Sequence, residues 1–249
     1  MPSPTDFNLS PYYDDFDEAK KFHRILFRPA FAVQARELTQ SQSILQNQVE
    51  KVSDHLFEKG AMVIPGEIGY DLNYFAVKLT SFSGTLSNYD GSVLTGGTSG
   101  VQAIVVNTAA TDGSDPDTLF VKYIKTGTNN TSVVFTDGET ITGVGADSSA
   151  VSAVVDTTAT GSAAEIQAGT YYINGFQVQV DNQTLILDKY TNTPSYRVGL
   201  TVTESFVTPS DDSTLNDNAA GSSNVNAPGA HRFKIELTLA KLSLTSTSD

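Results

Sequence analysis

The residues best suited to chemistry in this chain are three histidines, at 23, 55 and 231, and two acidic clusters. A transition-metal site draws on His, Cys, Asp and Glu at characteristic spacings. Here no two histidines stand at i,i+4, no His-x-x-His or His-Glu pattern occurs, and cysteine is absent. His55 falls near the end of an expected helix, where a cation complements the dipole, and His231 follows a Gly-Ala turn before an expected strand. Asp14, Asp15, Asp17 and Glu18 lack calcium-loop spacing. Asp15 and Asp17 fit better as N-terminal caps of a short helix through Lys20 to Ile25. Asp211, Asp212, Asp217 and Asn218 could hold a hydrated calcium ion, but turns use the same residues. Acidic pairs abound, and none is singled out as the flanking pair that glycoside hydrolysis needs. Ser222 and Ser223 sit outside any nucleophile elbow. Gly96-Gly97 and Gly100 lack the lysine and the strand-to-helix setting of a phosphate loop. The expectation is a protein that is not an enzyme and uses neither metal nor cofactor.

Charge narrows the partners. Asp and Glu number 28 against 15 Lys and Arg, a net charge of −13. Between Leu79 and Gly169 the only basic residues are Lys122 and Lys125. A nucleic-acid face needs clustered cations, and an anionic membrane repels an acidic surface, so neither partner is expected. No apolar run is long enough to span a bilayer, and MPSPTDF at the N-terminus has no signal-peptide pattern. Assembly inside a cell is expected.

The elements point to assembly. Residues 1–33 are expected to form an extended arm, broken by Pro2, Pro4, Pro11 and Pro29. The arm carries Phe7, Tyr12, Tyr13, Phe16, Phe22, Phe27 and Phe31, too many aromatics for a solvated tail, so it should lie on its own body or on a neighbour. Residues 34–60 are expected to form one long amphipathic helix. Leu38, Leu45 and Val52 recur every seven residues, and Gln42, Val49 and Leu56 form a second row four positions on. Together they make a mostly apolar stripe. Lys59 and Gly60 suit a helix C-terminus. Such a helix either packs on its own sheet or pairs with copies of itself in parallel; its length and the aromatic arm favour the second. Leu45 and Val49 are expected to be buried against the chain's own β body or another chain. The expected subunit-interface residues are Tyr12, Tyr13, Phe16, Phe22 and Phe27 on the arm and Leu38, Leu45, Val49, Val52 and Leu56 on the helix.

The remainder reads as β-structure. Strands are expected at 61–64, 75–79, 101–106, 119–124 and 151–155. The best local signal is Asn174-Gly175 between YYI and FQVQV, a type I′ hairpin signature. Asp181-Asn182 then leads into TLILD, predicting a three-strand meander. Alternation predicts two more strands, at 196–202 and 233–239. VQAIVVNTAATDG at 101–113 is echoed by AVSAVVDTTATG at 150–161, a spacing that would suit stacked β units. The expected organisation places a main β domain at 61–83 and 162–249, with a small β module inserted at 84–161. The loop at 208–229 is long and polar, and a contact loop ordered by a neighbour would explain it. The fold class is mainly β with one long N-terminal helix (α+β), built of small β modules without a parallel α/β sheet.

The stretch SPYYDDFDEAKKFHRILFRPAFAVQARELTQSQSILQNQVEKVSDHLFEKGAMVIPG resembles the N-terminal signature of a family of tailed-bacteriophage virion proteins. Its members occur in contractile-tailed phages, cyanophages included, and the family is named only as a domain of unknown function. The resemblance rests on Pro11 to Asp17, Phe22 to Pro29, Gln34 to Gln48 and the turn at Gly60. It continues in GTYYINGFQVQVDNQTLILDKYTNTPSYRVGL at 169–200 and LNDNAAGSSNVNAPGAHRFKI at 215–235. It implies a structural protein of a tail, baseplate or fibre attachment region, located in the virion and assembled in the host cytoplasm. Its implied partners are other tail or baseplate proteins and copies of itself, with three copies as the analogy with phage fibres. The alternative is a glycan-binding receptor module, with Tyr123, Tyr171 and Tyr172 stacking on sugars and the 208–229 loop adding polar contacts.

Overall fold

Twelve strands and one α-helix form in a computed structural model that describes residues 5–247. Pro2 and Pro4 of the expected arm lie outside the described residues. The chain divides into two compact units. The first comprises the segments up to Glu67, Ile166–Gln183 and Leu200–Leu239, and the second comprises Ile68–Glu165, Thr184–Gly199 and the segment from Ala240.

The second unit is built around a closed barrel. Its strands are β2 (Ile68–Phe82), β3 (Val93–Gly96), β4 (Gln102–Ala109), β5 (Thr118–Lys125), β6 (Thr140–Val144) and β7 (Ala150–Ile166). They neighbour one another in the order β7-β2-β5-β4-β3-β6, and β6 pairs back onto β7, with Thr140 opposite Val154 and Val144 opposite Ala150. Closure leaves the ring without an open edge. The ladder between β4 and β5 shifts register twice, a device that bends strands around a small barrel. Alternation decides which side chains fill it. Val77 and Leu79 of β2, Leu119 and Val121 of β5, and Val151, Ala153 and Val155 of β7 form the buried interior with Leu94, Phe135 and Ile141. The intervening residues Tyr74, Ala76 and Phe120 form a second buried cluster with Ala163, covered by Ile186 and Tyr190.

Glu139 ties two barrel turns together. Its carboxylate accepts from the backbone N–H of Thr98 and Ser99 at 2.9 Å, the Ser99 hydroxyl at 2.8 Å and the Thr136 N–H at 2.7 Å. Burial works against its charge, but these donors outweigh burial and hold the carboxyl below its ordinary pKa.

The first unit carries the helix α1 (Ala35–Leu56), a three-stranded sheet and parts of a two-stranded ribbon. The sheet runs β1 (Met62–Ile64), β8 (Gly169–Ile173), β9 (Phe176–Val180). Asn174 and Gly175 take the positive φ values, 46° and 87°, that the predicted turn requires. The ribbon pairs β11 (Tyr196–Val207) with β12 (Arg232–Ser243), and Gln183 brackets β12 by bonding the Leu237 carbonyl and the Leu239 N–H.

The fold class is as the sequence reads: mainly β, antiparallel, with one long N-terminal helix. Several local expectations need correction. β10 (Gln183–Asp188) neighbours β7 and not β9, so there is no three-strand meander. The two echoed segments are β4 and β7, strands of one barrel and not stacked units. Lys20 to Ile25 is not a helix; a single 3₁₀ turn at Glu18–Lys20 is capped by Asp17, and the chain then extends. α1 ends at Leu56, before Gly60, because Phe57 turns into extended backbone and packs against Tyr172 at 5.9 Å between ring centroids.

Candidate functional site

α1 is held to its own unit by its polar face. Gln40 donates to Asp15 at 3.1 Å, Ser43 bonds Asp14, and Gln46 donates to the Gly175 carbonyl at 2.7 Å. The Tyr172 hydroxyl bonds the Asp54 carboxylate and the Glu50 carbonyl, and Lys51 pairs with Glu18. Burial and the neighbouring Asp54 carboxylate push the Tyr172 hydroxyl up to about 12. The buried residues of the helix are Ile44, Asn47 and Ser53, only one of them apolar. At the N-terminus, the Glu37 side chain accepts from the Gln34 N–H at 2.9 Å and closes the first turn.

The apolar face points the other way. Leu38, Leu45, Val49, Val52 and Leu56 are 53–68 % exposed, although Ile44, one residue from Leu45, is 4 % exposed. A surface helix normally buries its apolar stripe and wets its polar face; α1 does the reverse. The stripe is therefore not packed on the chain's own β body, which removes that half of the expectation for Leu45 and Val49.

The arm splits into two parts. Phe7 and Tyr12 join a ring cluster of the first unit: Phe7 meets Phe206 and Phe233 edge-on at 5.8 and 5.0 Å, and Tyr12 lies 5.1 Å from Phe206. The Tyr12 hydroxyl is 2.7 Å from His231 Nδ1. Tyr12 and Phe16 thus line a cleft of about 600 Å³ with Phe7, Phe176, Phe206 and Phe233. None of the residues lining this cleft is a carboxylate. Beyond the 3₁₀ turn the arm leaves this surface. Phe22, Leu26, Phe27, Phe31 and Val33 are all exposed, and so is Tyr13. Lys21, Arg24 and Arg28 fall in this stretch, and Lys20 and Arg36 flank it, five of the chain's 15 Lys and Arg, with no acid between Glu18 and Glu37. Arg28 lies 4.0 Å over the Phe31 ring.

The acidic candidates of the 208–229 loop cap its turns. Asp211 accepts from the Thr208 N–H and hydroxyl, and Asp212 from those of Thr214, which holds both below the usual carboxylate range. Asp217 caps Ala219. Among the described residues no cluster of His, Cys, Asp or Glu could hold a metal ion. The 208–229 loop orders itself, through the Asn216–Pro228 bridge and the bonds exchanged by Asp217 with Asn226 and Ala227. Tyr171 and Tyr172 are buried, and Tyr123 packs between Phe75 and Phe135, so none offers a ring face to a sugar. No helix is long and apolar enough to cross a membrane among the described residues.

The aromatic cleft as a whole was not legible in the sequence, because its rings come from positions 7, 12, 16, 176, 206 and 233. The signals that pointed toward it were the aromatic excess of the arm, with Phe7, Tyr12 and Phe16, and the alternation around Phe206 and Phe233. Residues 10–117 and 109–248 match the family model described as Domain of unknown function (DUF4815). No curated protein and no solved structure matches the chain.

Proposed function

The chain belongs to the DUF4815 family, a domain found in tailed-phage proteins, and on that footing we propose that it is a structural component of the phage tail, at the baseplate or a fibre attachment region, where it joins neighbouring virion subunits. One observation carries the joining role: α1 is fastened by its polar face and leaves an apolar face of five large side chains in water. Contiguous exposed apolar surface of this kind marks an interaction site. The exposed arm at 22–33 provides a second contact. Its rings and cations suit a partner surface that is both apolar and acidic.

The test is a phage carrying Leu45→Asp with Val49→Asp in this chain. The expected result is a soluble, folded protein that is missing from purified particles, with a matching loss of infectious titre. Normal incorporation and normal titre would overturn the joining role of this face.

A further inference from the structure

We propose that the exposed face of α1 pairs with the same face of a second copy of this chain, in parallel and in register. This occupant names the neighbour in the joining role above and rests on that reading for its setting in the virion.

The spacing is the first ground. Leu38, Gln42, Leu45, Val49, Val52 and Leu56 follow steps of four and three in strict alternation. That is a repeat of about 3.5 residues, the narrow seam of a left-handed coiled coil, and not the wider face by which a helix lies on a sheet. The whole seam is exposed.

Charge is the second ground. The chain carries a net charge of −13, so most surfaces of two copies repel. The seam is flanked by Thr39, Gln46 and Ser53 on one side and Ser41, Gln48 and His55 on the other. No Asp, Glu, Lys or Arg occupies these six positions. The helix keeps Glu50, Lys51 and Asp54 on the face turned to its own unit, where Glu18 and Tyr172 engage Lys51 and Asp54. Two copies can therefore approach along this seam without facing like charges.

Gln42 sets the direction. In a parallel, in-register pair each layer meets itself, and the Gln42 amides donate to and accept from one another. An antiparallel pair centred on the seam would put Gln42 against Val52 and leave an amide unsatisfied in an apolar layer. A single polar residue in such a seam is the usual determinant of register.

The chain has no cysteine, so introduced thiols report without interference. The experiment uses the full chain at micromolar concentration, with Leu38→Cys, Leu56→Cys and, away from the seam, the exposed Val133→Cys. Light scattering of the wild type should give a multiple of 26.5 kDa, which also counts the copies. On mild oxidation Leu38→Cys and Leu56→Cys should each link to themselves, Val133→Cys should not, and a mixture should give no Leu38→Cys to Leu56→Cys product. Linking seen only in the mixture means an antiparallel pair and overturns the proposal. A wild type that is monomeric but folded also overturns it. If seam variants are then still lost from particles, the joining role stands and the neighbour is a different protein. If the wild type self-pairs but seam variants enter particles normally, the pairing stands and the joining role falls.

Discussion

The same substitution made at two adjacent helix positions should give opposite results. Ile44→Asp places a carboxylate where 4 % of the side chain is exposed; Leu45→Asp places it where 67 % is exposed. At position 44 the helix loses its one fully buried apolar contact with the unit and a charge is forced into the site, costing about 3–5 kcal/mol, the scale of a large core truncation. That is enough to detach α1 from its sheet. At position 45 the isolated chain loses about 0.5 kcal/mol of helix propensity. No charged residue stands three or four positions from Leu45, so no new repulsion arises within the helix. The melting temperature of the monomer should fall by roughly 1–2 °C. Association pays instead: about 1–2 kcal/mol of leucine burial is forgone per copy, and an unpaired carboxylate enters the seam. A total near 2–4 kcal/mol per copy, borne by both copies of a pair, lowers the association constant roughly 10³- to 10⁶-fold. Circular dichroism with urea unfolding reads the fold, and sedimentation reads the assembly. Equal loss of fold in the two variants would refute the assignment of faces, as would unchanged assembly in Leu45→Asp.

Glu139→Gln turns an amide NH₂ toward donors that now share a carboxylate and should destabilise the barrel by about 2–4 kcal/mol in urea unfolding. Its folded pKa lies below the ordinary 4.5, so its contribution is full above that value and is lost as pH falls through the folded pKa. The stability gap between wild type and Glu139→Gln should therefore be flat at neutral pH and narrow below 4.5; a gap that stays flat to lower pH would contradict the donor count. Tyr172→Phe removes the bonds to Asp54 and the Glu50 carbonyl and should cost about 1 kcal/mol, seen as faster hydrogen exchange over the last turns of α1 with unchanged assembly. Phe206→Ala empties the ring cluster that holds Phe7 and Tyr12 and should cost about 2–3 kcal/mol; exchange protection should drop at the Tyr12 and Asp14 amides, which bond Leu9 and Phe7.

What could be read from the sequence was local in origin. The stripe from Leu38 to Leu56 is a spacing, and Asn174-Gly175 is a turn chemistry; both act within a few residues, so neither needs the rest of the chain. β4, β5 and the start of β7 were legible because short apolar alternations fill a barrel interior. β3 and β6 were not. They read VLTG and TITGV, short and glycine-bearing, and Gly143 is there because a Cβ would lie 2.4 Å from the Val93 carbonyl oxygen, a contact with another strand.

The sequence by itself determined that this chain is mainly β behind one long helix, and that the helix has two unlike faces. Tertiary structure alone decided which face goes inward. Asp14, Asp15, Glu18, Gly175 and Tyr172 come from outside the helix to bind its polar side, and periodicity carries no information about those partners. The closure of β6 onto β7 and the departure of β10 from β9 to β7 are decisions of the same kind. A strand's own residues fix its alternation, but its neighbour is fixed by which distant strand completes its hydrogen bonds and covers its apolar side.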